Sequence, residues 1–163
     1  MTTERIKKPD YADVKGEPPM SLLVTAMPFF ISMTGALVKT LGRAAPGALK
    51  AMGAMNASLV TGIGLFGMKK TSGAIPVAGE WLKMITGIKA DYEIGGVSET
   101  EVEVLLKACP LGLTAEHGRA LCLTAMATDM KTVEKLGARL EIGETIATGA
   151  DRCHLKVVSP KSD

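Results

Sequence analysis

Three cysteines carry the most distinctive chemistry in this chain, and all of them fall between Glu103 and Val158. Cys109 precedes a predicted helix, Cys122 lies on that helix, and Cys153 belongs to the last predicted strand. Elements in this order can bring the three thiols to one point. Thiolate ligands favour zinc and iron, including the iron of iron–sulfur clusters. The sequence therefore predicts a metal site formed by the three cysteines.

An aspartate on the same predicted helix adds to this site. At 100° per residue, Asp129 falls about 20° from Cys122, inside an apolar stripe. The other members of that stripe are Ala125, Met126, Val133 and Leu136. A carboxylate on a buried apolar face is unfavourable unless a partner meets it. We therefore expect a backbone amide, a cation, a metal ion or a substrate beside Asp129.

The same residues allow more than one interpretation. In a metal site, His117 or Asp129 supplies the fourth ligand. In a catalytic site, Cys122 is a nucleophile that His117 activates and Asp129 orients. In the simplest alternative the cysteines are small apolar core residues, which is the usual role of a buried cysteine. Their spacing, 13 and then 31 residues, matches no established zinc signature.

The elements that position these residues form an α+β pattern. Residues 91–96 and 101–108 alternate apolar and polar side chains, which predicts a pair of strands. A helix is predicted from Thr114 to Leu136, ending at Gly137. Residues 139–148 and 152–158 then predict a β-hairpin. In the last strand, Cys153 shares the core face, and His154 faces water.

The first half of the chain has a different composition. Residues 1–19 are polar and charged, which predicts a flexible arm. Two runs, Met20–Val38 and Ala51–Met68, contain no charged residue, and there is no Asp or Glu between Pro18 and Gly79. Alanine, leucine and methionine favour helix here. The sequence thus predicts an apolar helical segment over residues 20–88 and a cysteine-containing α+β domain over 89–163.

Three roles are open for the apolar segment. Its helices can bury one another in an ordinary core. They can form a transmembrane hairpin, although Pro28 interrupts the first run and basic residues lie on both sides of each run. They can instead rest on an anionic membrane face, a larger protein or a second copy of the chain. The last alternative predicts a homodimer or a larger complex, with contact to a membrane surface in one version.

Several functional classes are disfavoured. The net charge of +2 gives little support to nucleic-acid binding. Residues 62–67 spell GIGLFG, but no convincing strand precedes this G-x-G-x-x-G match, so no nucleotide is expected. The odd number of cysteines and the polar segment Met1–Pro19 predict reduced thiols and a cytoplasmic protein, with membrane association as the alternative.

The run C109-P, C122, D129, G143 and C153 over strand, helix and hairpin resembles the 4-vinyl reductase type of small-molecule-binding domain. It resembles even more the L-2-amino-thiazoline-4-carboxylic acid hydrolase-like proteins. The resemblance covers the last third of the chain, Glu103–Val158, and does not extend to the acid-free segment before it. It implies an α+β fold in which these cysteines and Asp129 bind metal or act on a small ligand.

Together these observations predict an α+β protein with a helical first half, a small antiparallel sheet and one long helix in the second half. The predicted function is to bind a metal ion or a small apolar ligand at the cysteine/aspartate site, within a larger assembly. One alternative is a hydrolase that opens a thiazoline-like C–N bond. The other is a membrane-associated or structural subunit that docks through residues 20–68.

Overall fold

A computed structural model of the protein describes residues 6–9, 18–62 and 66–160. The described helices are α1 (Pro18–Leu41), α2 (Pro46–Gly62), α3 (Ala74–Gly87), α4 (Gly118–Ala125) and α5 (Ala127–Leu136). The strands are β1 (Tyr92–Val97), β2 (Glu101–Leu106), β3 (Arg139–Ile142) and β4 (Cys153–Val158), with a short 3-10 helix at Ile146–Thr148. This arrangement confirms the predicted α+β class, helical in its first half and built on an antiparallel sheet in its second.

The four strands form one antiparallel sheet in the order β1-β2-β4-β3. The alternation seen in the sequence becomes two faces, because successive side chains of a strand point to opposite sides. On the inner face, Val102 lies opposite Val157 and Val104 lies opposite Leu155. These side chains are buried, and they form the floor of the main core.

The outer face of the sheet carries charged side chains. Lys156 contacts Glu101 at 3.2 Å, and His154 contacts Glu103 at the same distance on the neighbouring rung. This placement confirms that His154 points away from the core. Exposed pairs of this kind add little stability each, but together they keep this face solvated.

Helix α3 covers the inner face of the sheet. Its buried side chains recur at helical spacing, and the central one, Trp81, has no exposed surface. The helix contacts β2 and β4, so the indole lies in the middle of the main core. At its C-terminal end, Thr86 and Tyr92 form a buried hydrogen bond of 3.0 Å between their hydroxyl groups. This bond ties the helix to the first strand.

The helix predicted over residues 114–136 is two helices, and it begins later than expected. The Thr114 N–H donates to Nδ1 of His117, which holds residues 114–117 in a turn, and α4 starts at Gly118. The helix is then interrupted at Met126, which ends α4 and precedes α5. Gly137 ends α5 as predicted, with a φ of 113° that disfavours other residues.

The final hairpin is shorter on one side than the sequence predicts. Strand β3 ends at Ile142, and the 3-10 helix replaces the rest of the predicted strand. Thr145 and Thr148 form a capping box around this short helix. These capping bonds use backbone groups that would otherwise be available to pair with β4. As predicted, the two strands pair antiparallel.

The first two helices pack outside this core. Helix α2 lies on α5 and α4, and α1 contacts α4 near its own C-terminal end. Contact between α2 and α5 is close at Gly53, where an added Cβ would lie 2.7 Å from the Cβ of Ala127. Within the described residues, α1 and α2 share few direct contacts with each other. Each helix is therefore held by the second half of the chain.

Some predictions for the first half concern residues that the structure does not describe. Residues 1–5 and 10–17 of the predicted arm, and 63–65 of the GIGLFG run, lie outside the described part of the chain. Of the arm, Lys8 has its ammonium 4.4 Å from the centre of the Tyr92 ring, and Ile6 packs against the main core. Among the helices that the structure describes, none combines the length and hydropathy needed to cross a bilayer.

The close approach at Gly53 gives a first test. We expect Gly53→Ala to lower the free energy of unfolding by about 1–3 kcal/mol, because the added methyl group meets Ala127 and the backbone of Thr128. Helix propensity alone predicts the opposite sign. The control is Gly79→Ala in α3, where no atom lies within 4 Å of the added Cβ. There a gain of about 0.5–1 kcal/mol is expected by urea denaturation. Equal gains at both positions would contradict the packing described.

Candidate functional site

The three cysteines belong to three different elements. Cys109 follows β2 and is half-buried, Cys122 lies on α4, and Cys153 opens β4. The latter two are each about 6% exposed, and all three are free thiols. The antiparallel pairing of β2 with β4 explains why Cys153 lies near Cys109. Cys153 is opposite Leu106, and Leu106 precedes Cys109 by three residues.

The structure brings the three thiols near one another. Cys109 interacts electrostatically with both Cys122 and Cys153, and the latter two interact with each other. Cys109 and Cys122 also share a small apolar cluster whose other members are Val38, Leu49, Leu111, Leu113, Leu121, Ala125, Met126 and Ala147. The three thiols therefore lie in the same region of the fold.

The segment between β3 and β4 holds the two buried thiols. Cys122 shares a hydrogen bond with the side chain of Thr145, which is buried. The Ile146 N–H donates to Sγ of Cys153 over 3.4 Å. Arg119 anchors the start of this segment, since its guanidinium donates to the carbonyls of Ile142 and Gly143 at 2.7 Å each. No pattern in the sequence predicts these contacts, because they depend on how α4 meets the hairpin.

Burial decides the ionisation of these thiols. It raises the pKa of Cys122 and of Cys153, because an apolar surrounding disfavours the thiolate. The neighbouring thiols raise the pKa further, and the hydrogen bonds from Thr145 and Ile146 only partly oppose this effect. Both thiols are therefore protonated at neutral pH, a state that is poorly nucleophilic and a weak metal ligand.

The arrangement of possible ligands gives no support to the predicted metal site. In residues 6–9, 18–62 and 66–160, no three His, Cys, Asp or Glu side chains are grouped so that they could hold a metal ion. The three thiols are therefore near one another without forming a metal-coordination geometry. Zinc or iron at Cys109, Cys122 and Cys153 stays a prediction from the sequence.

Asp129 has the partner that its position demanded, and that partner is an indole. The Trp81 Nε1–H donates to Oδ1 of Asp129 over 3.0 Å, joining α3 to α5. Burial of the carboxyl group raises the pKa of Asp129 to about 6, and this hydrogen bond moderates the rise. Although Asp129 as a whole is partly exposed, its carboxyl lies against Trp81, which has no exposed surface. A side-chain indole was not among the expected partners, which were a backbone amide, a cation, a metal ion or a substrate.

The three proposed catalytic residues point to different neighbours. His117 bonds through Nδ1 to Thr114, Cys122 bonds to Thr145, and Asp129 bonds to Trp81. No hydrogen bond joins one of the three to another among the described contacts. The break at Met126 explains this separation, because it turns Cys122 toward the small cluster while the α5 side chains Val133 and Leu136 enter the main core. The catalytic role of these residues also stays a prediction.

A second feature of the site region is an exposed apolar surface on the first two helices. Of the eight large apolar side chains that are exposed in the described residues, seven belong to α1 and α2. We call this set the helical apolar surface: Phe29, Phe30, Met33, Leu41, Met52, Met55 and Leu59. Phe29 and Met55 are 70% and 66% exposed. Scattered apolar side chains are normal on a protein surface, whereas a concentration of this kind marks an interaction site.

On α1, the described side chains before Gly35 include none that is buried. The C-terminal end of the helix packs against the rest of the protein through Gly35 and Val38, and through Gly42, which follows the helix. On α2, Met52, Met55 and Leu59 follow one another at intervals of three and four residues, so they form a stripe along one side. The opposite side of α2 carries the buried residues Gly53, Ala57 and Val60.

We expect the stability of the protein to depend on pH through Asp129. The pKa of its carboxyl is higher in the folded chain, about 6, than its ordinary value of 3.8. The folded state therefore binds the proton more tightly, and stability is lost as the pH rises from about 4 through 6. In Asp129→Asn the amide oxygen still accepts from Trp81, but the charge is absent. This variant should exceed the parent in free energy of unfolding by on the order of 2 kcal/mol at pH 7.5 and by much less at pH 4.

Urea denaturation followed by fluorescence measures this difference directly, because Trp81 is the single tryptophan in the sequence. Its emission should also titrate near pH 6 in the parent protein and not in the variant. A difference in unfolding free energy that does not change with pH would show that the Asp129 carboxyl is not desolvated.

The thiols should differ in reactivity. At pH 7, maleimide labelling of the folded protein should modify Cys109 first, because it is the least buried of the three. Cys122 and Cys153 should react at least about 100-fold more slowly and at full rate only in urea, since burial limits access and raises their pKa. Mass spectrometry of the peptides gives the order, and Cys109→Ala is the control that should leave the folded protein nearly unlabelled. Fast labelling of Cys122 would instead favour the nucleophile hypothesis.

Comparison with known proteins adds little to this description. No protein-family model matches the chain, and no curated protein matches it. Among solved structures, the chain is similar to trafficking protein particle complex subunit 3 from Naegleria fowleri, whose crystal structure has palmitic acid covalently bound. The sequences are 11% identical, the alignment covers 87% of this chain and 82% of that one, and the TM-score is 0.38. A likeness at this level assigns neither family nor function, so the functional argument rests on the residues themselves.

Proposed function

We propose that this protein is a docking subunit, which joins a larger protein assembly through the helical apolar surface. The observation that carries this proposal is the concentration of exposed large apolar side chains on α1 and α2, compared with one such residue, Met130, elsewhere in the described chain. Water contact of these side chains is unfavourable, and a partner that covers them removes that cost.

The charges around this surface favour a protein partner over a lipid surface. Helices that lie in a membrane interface carry Lys and Arg along the polar side, next to the apolar side. From Met20 to Val38, α1 carries no charge at all. Between Met20 and Lys70 the basic residues lie near the C-terminal end of α1 (Lys39), in the α1–α2 turn (Arg43), near the start of α2 (Lys50) and after α2 (Lys69 and Lys70). Interface centres between proteins are likewise depleted of charge and enriched in Phe and Met.

The helices are also arranged as an attachment would require. The part of α1 before Gly35 extends away from the small apolar cluster, which holds only the C-terminal end of this helix. Helix α2 carries Met52, Met55 and Leu59 on the side opposite to α5. Neither helix supplies a residue to the contacts of Asp129 or His117. The helical apolar surface can therefore bind a partner without disturbing the main core.

The test compares native complexes. A tagged chain expressed in its source cells at normal level should migrate well above 17.1 kDa, the mass of one chain. The double variant Phe29→Glu, Met55→Glu should move to the size of the free chain, because each carboxylate would be buried without a partner. Its control is Met130→Glu, which changes an exposed methionine of α5 outside the helical apolar surface and should leave the native size unchanged. A parent chain that migrates as a free monomer would overturn the proposal.

The convergence of the three thiols favours a second candidate function, the binding of a small apolar ligand beside Cys109. This thiol is half-buried and packs against the small apolar cluster, so a ligand that covered it would slow its alkylation. Labelling rates of Cys109 in the presence and absence of thiazoline-type compounds test both this candidate and the hydrolase alternative. Protection without turnover would indicate binding, and release of a ring-opened product would indicate hydrolysis.

A further inference from the structure

We propose that the helical apolar surface is covered by a second copy of this chain, with α1 of each copy lying on the α2 stripe of the other. This inference rests on the docking function proposed above, and it names the partner. It assigns the exposed side chains to two complementary sets, Phe29, Phe30 and Met33 on α1 and Met52, Met55 and Leu59 on α2.

The first argument is that the two sets are unpaired within one copy. An αα-hairpin with a short loop usually packs its two helices against each other. Here only four residues separate α1 from α2, yet α1 packs against α4 while α2 packs against α5 and α4. The contact at Gly53 holds α2 in place, so α1 of the same copy does not cover the stripe.

The second argument is that the two sets match in length and charge. The α1 set from Phe29 to Met33 extends about 6 Å along its helix, and the stripe from Met52 to Leu59 extends about 10 Å, at 1.5 Å per residue, so the shorter set lies within the length of the longer one. Neither contains a charged residue, and the basic side chains lie beyond their ends. If α1 of one copy crossed α2 of the other within these limits, no charge would be buried, and no acidic partner would be needed for neutralisation.

The third argument is closure. A two-fold axis repeats the contact, so that both α1 segments and both α2 stripes are covered at once and no apolar set remains open. Six large side chains, each about half exposed, present on the order of 600 Å² per copy, or about 1,200 Å² for the pair. This area reaches the lower end of the range for specific interfaces.

Charge complementation with purified protein tests the arrangement. The α1 variant is Phe29→Glu, Met33→Glu, and the α2 variant is Met55→Lys, Leu59→Lys. In a reciprocal dimer, each variant alone loses both contacts, whereas a mixture keeps one native contact and gains one between opposite charges. By analytical ultracentrifugation, the parent should be a dimer at micromolar concentration, and each variant alone should dissociate at least about 100-fold more readily. The mixture should recover to within about tenfold of the parent.

The control and the contrary outcomes keep this test decisive. Met130→Glu should leave the dimer intact, and circular dichroism should show that each variant is folded, as expected for changes at exposed positions. A mixture that fails to associate would overturn the reciprocal contact, because α1 would then meet α1, or α2 would meet α2. A parent that stays monomeric at 100-fold higher concentration would overturn the dimer altogether.

The inference and the docking function can fail separately. A purified monomer that still occurs in a larger native complex would reject the second copy and leave the docking function intact. A monomer that instead co-sediments with vesicles of anionic lipid, and migrates as a free chain in cell extracts, would reject both. A purified dimer whose native size survives the Phe29→Glu, Met55→Glu change would place the dimer contact elsewhere and also reject both.

Discussion

The interruption of the helix at Met126 is the constraint on which the arrangement of this protein depends. The Met126 N–H donates to the Cys122 carbonyl and closes α4, while its own carbonyl accepts from Met130 and opens α5. One continuous helix would have aligned Cys122 with Asp129. The break instead gives the two helices separate cores, and Met126 packs against both. The positions of the elements that contact α4 or α5 follow from this separation into two cores.

The main core and the small cluster differ in what they provide. In the main core, Trp81 and the inner face of the sheet bury large side chains completely, and the indole meets the buried Asp129. A carboxyl with a pKa near 6 in such a place reduces stability at neutral pH, since the charged form is desolvated. The small cluster buries fewer residues, but it contains Cys122 and part of Cys109 and holds the end of α1, whereas Cys153 belongs to the main core.

The outer helices follow from the same division. Helix α1 packs on α4, α2 packs on α5 and α4, and both leave apolar side chains uncovered beyond these contacts. Helices usually gain most of their stability from a buried face, so an apolar helix with a free face is incomplete as a monomer. Docking through the helical apolar surface explains this feature without requiring chemistry from α1 or α2.

Much of this protein could be predicted from its sequence, because local patterns carry the information. Alternation in residues 101–106 and 153–158 predicts strands with one dry face, and Gly137 predicts the end of a helix. A carboxylate on an apolar stripe required a partner, and the structure supplies one. The apolar composition between Pro18 and Gly79 predicted helices, and α1 and α2 confirm them.

The tertiary structure decided the rest, because those features depend on contacts between residues far apart in the chain. Periodicity gave no warning of the break at Met126, where the residues themselves favour helix. The pairing of Asp129 with Trp81 spans 48 positions, and no spacing rule relates them. Likewise, the sequence placed three cysteines on neighbouring elements, but only packing determined that Cys122 and Cys153 are buried and that burial raises the pKa of both thiols. Local patterns thus determined which elements form, and packing determined which side chains meet.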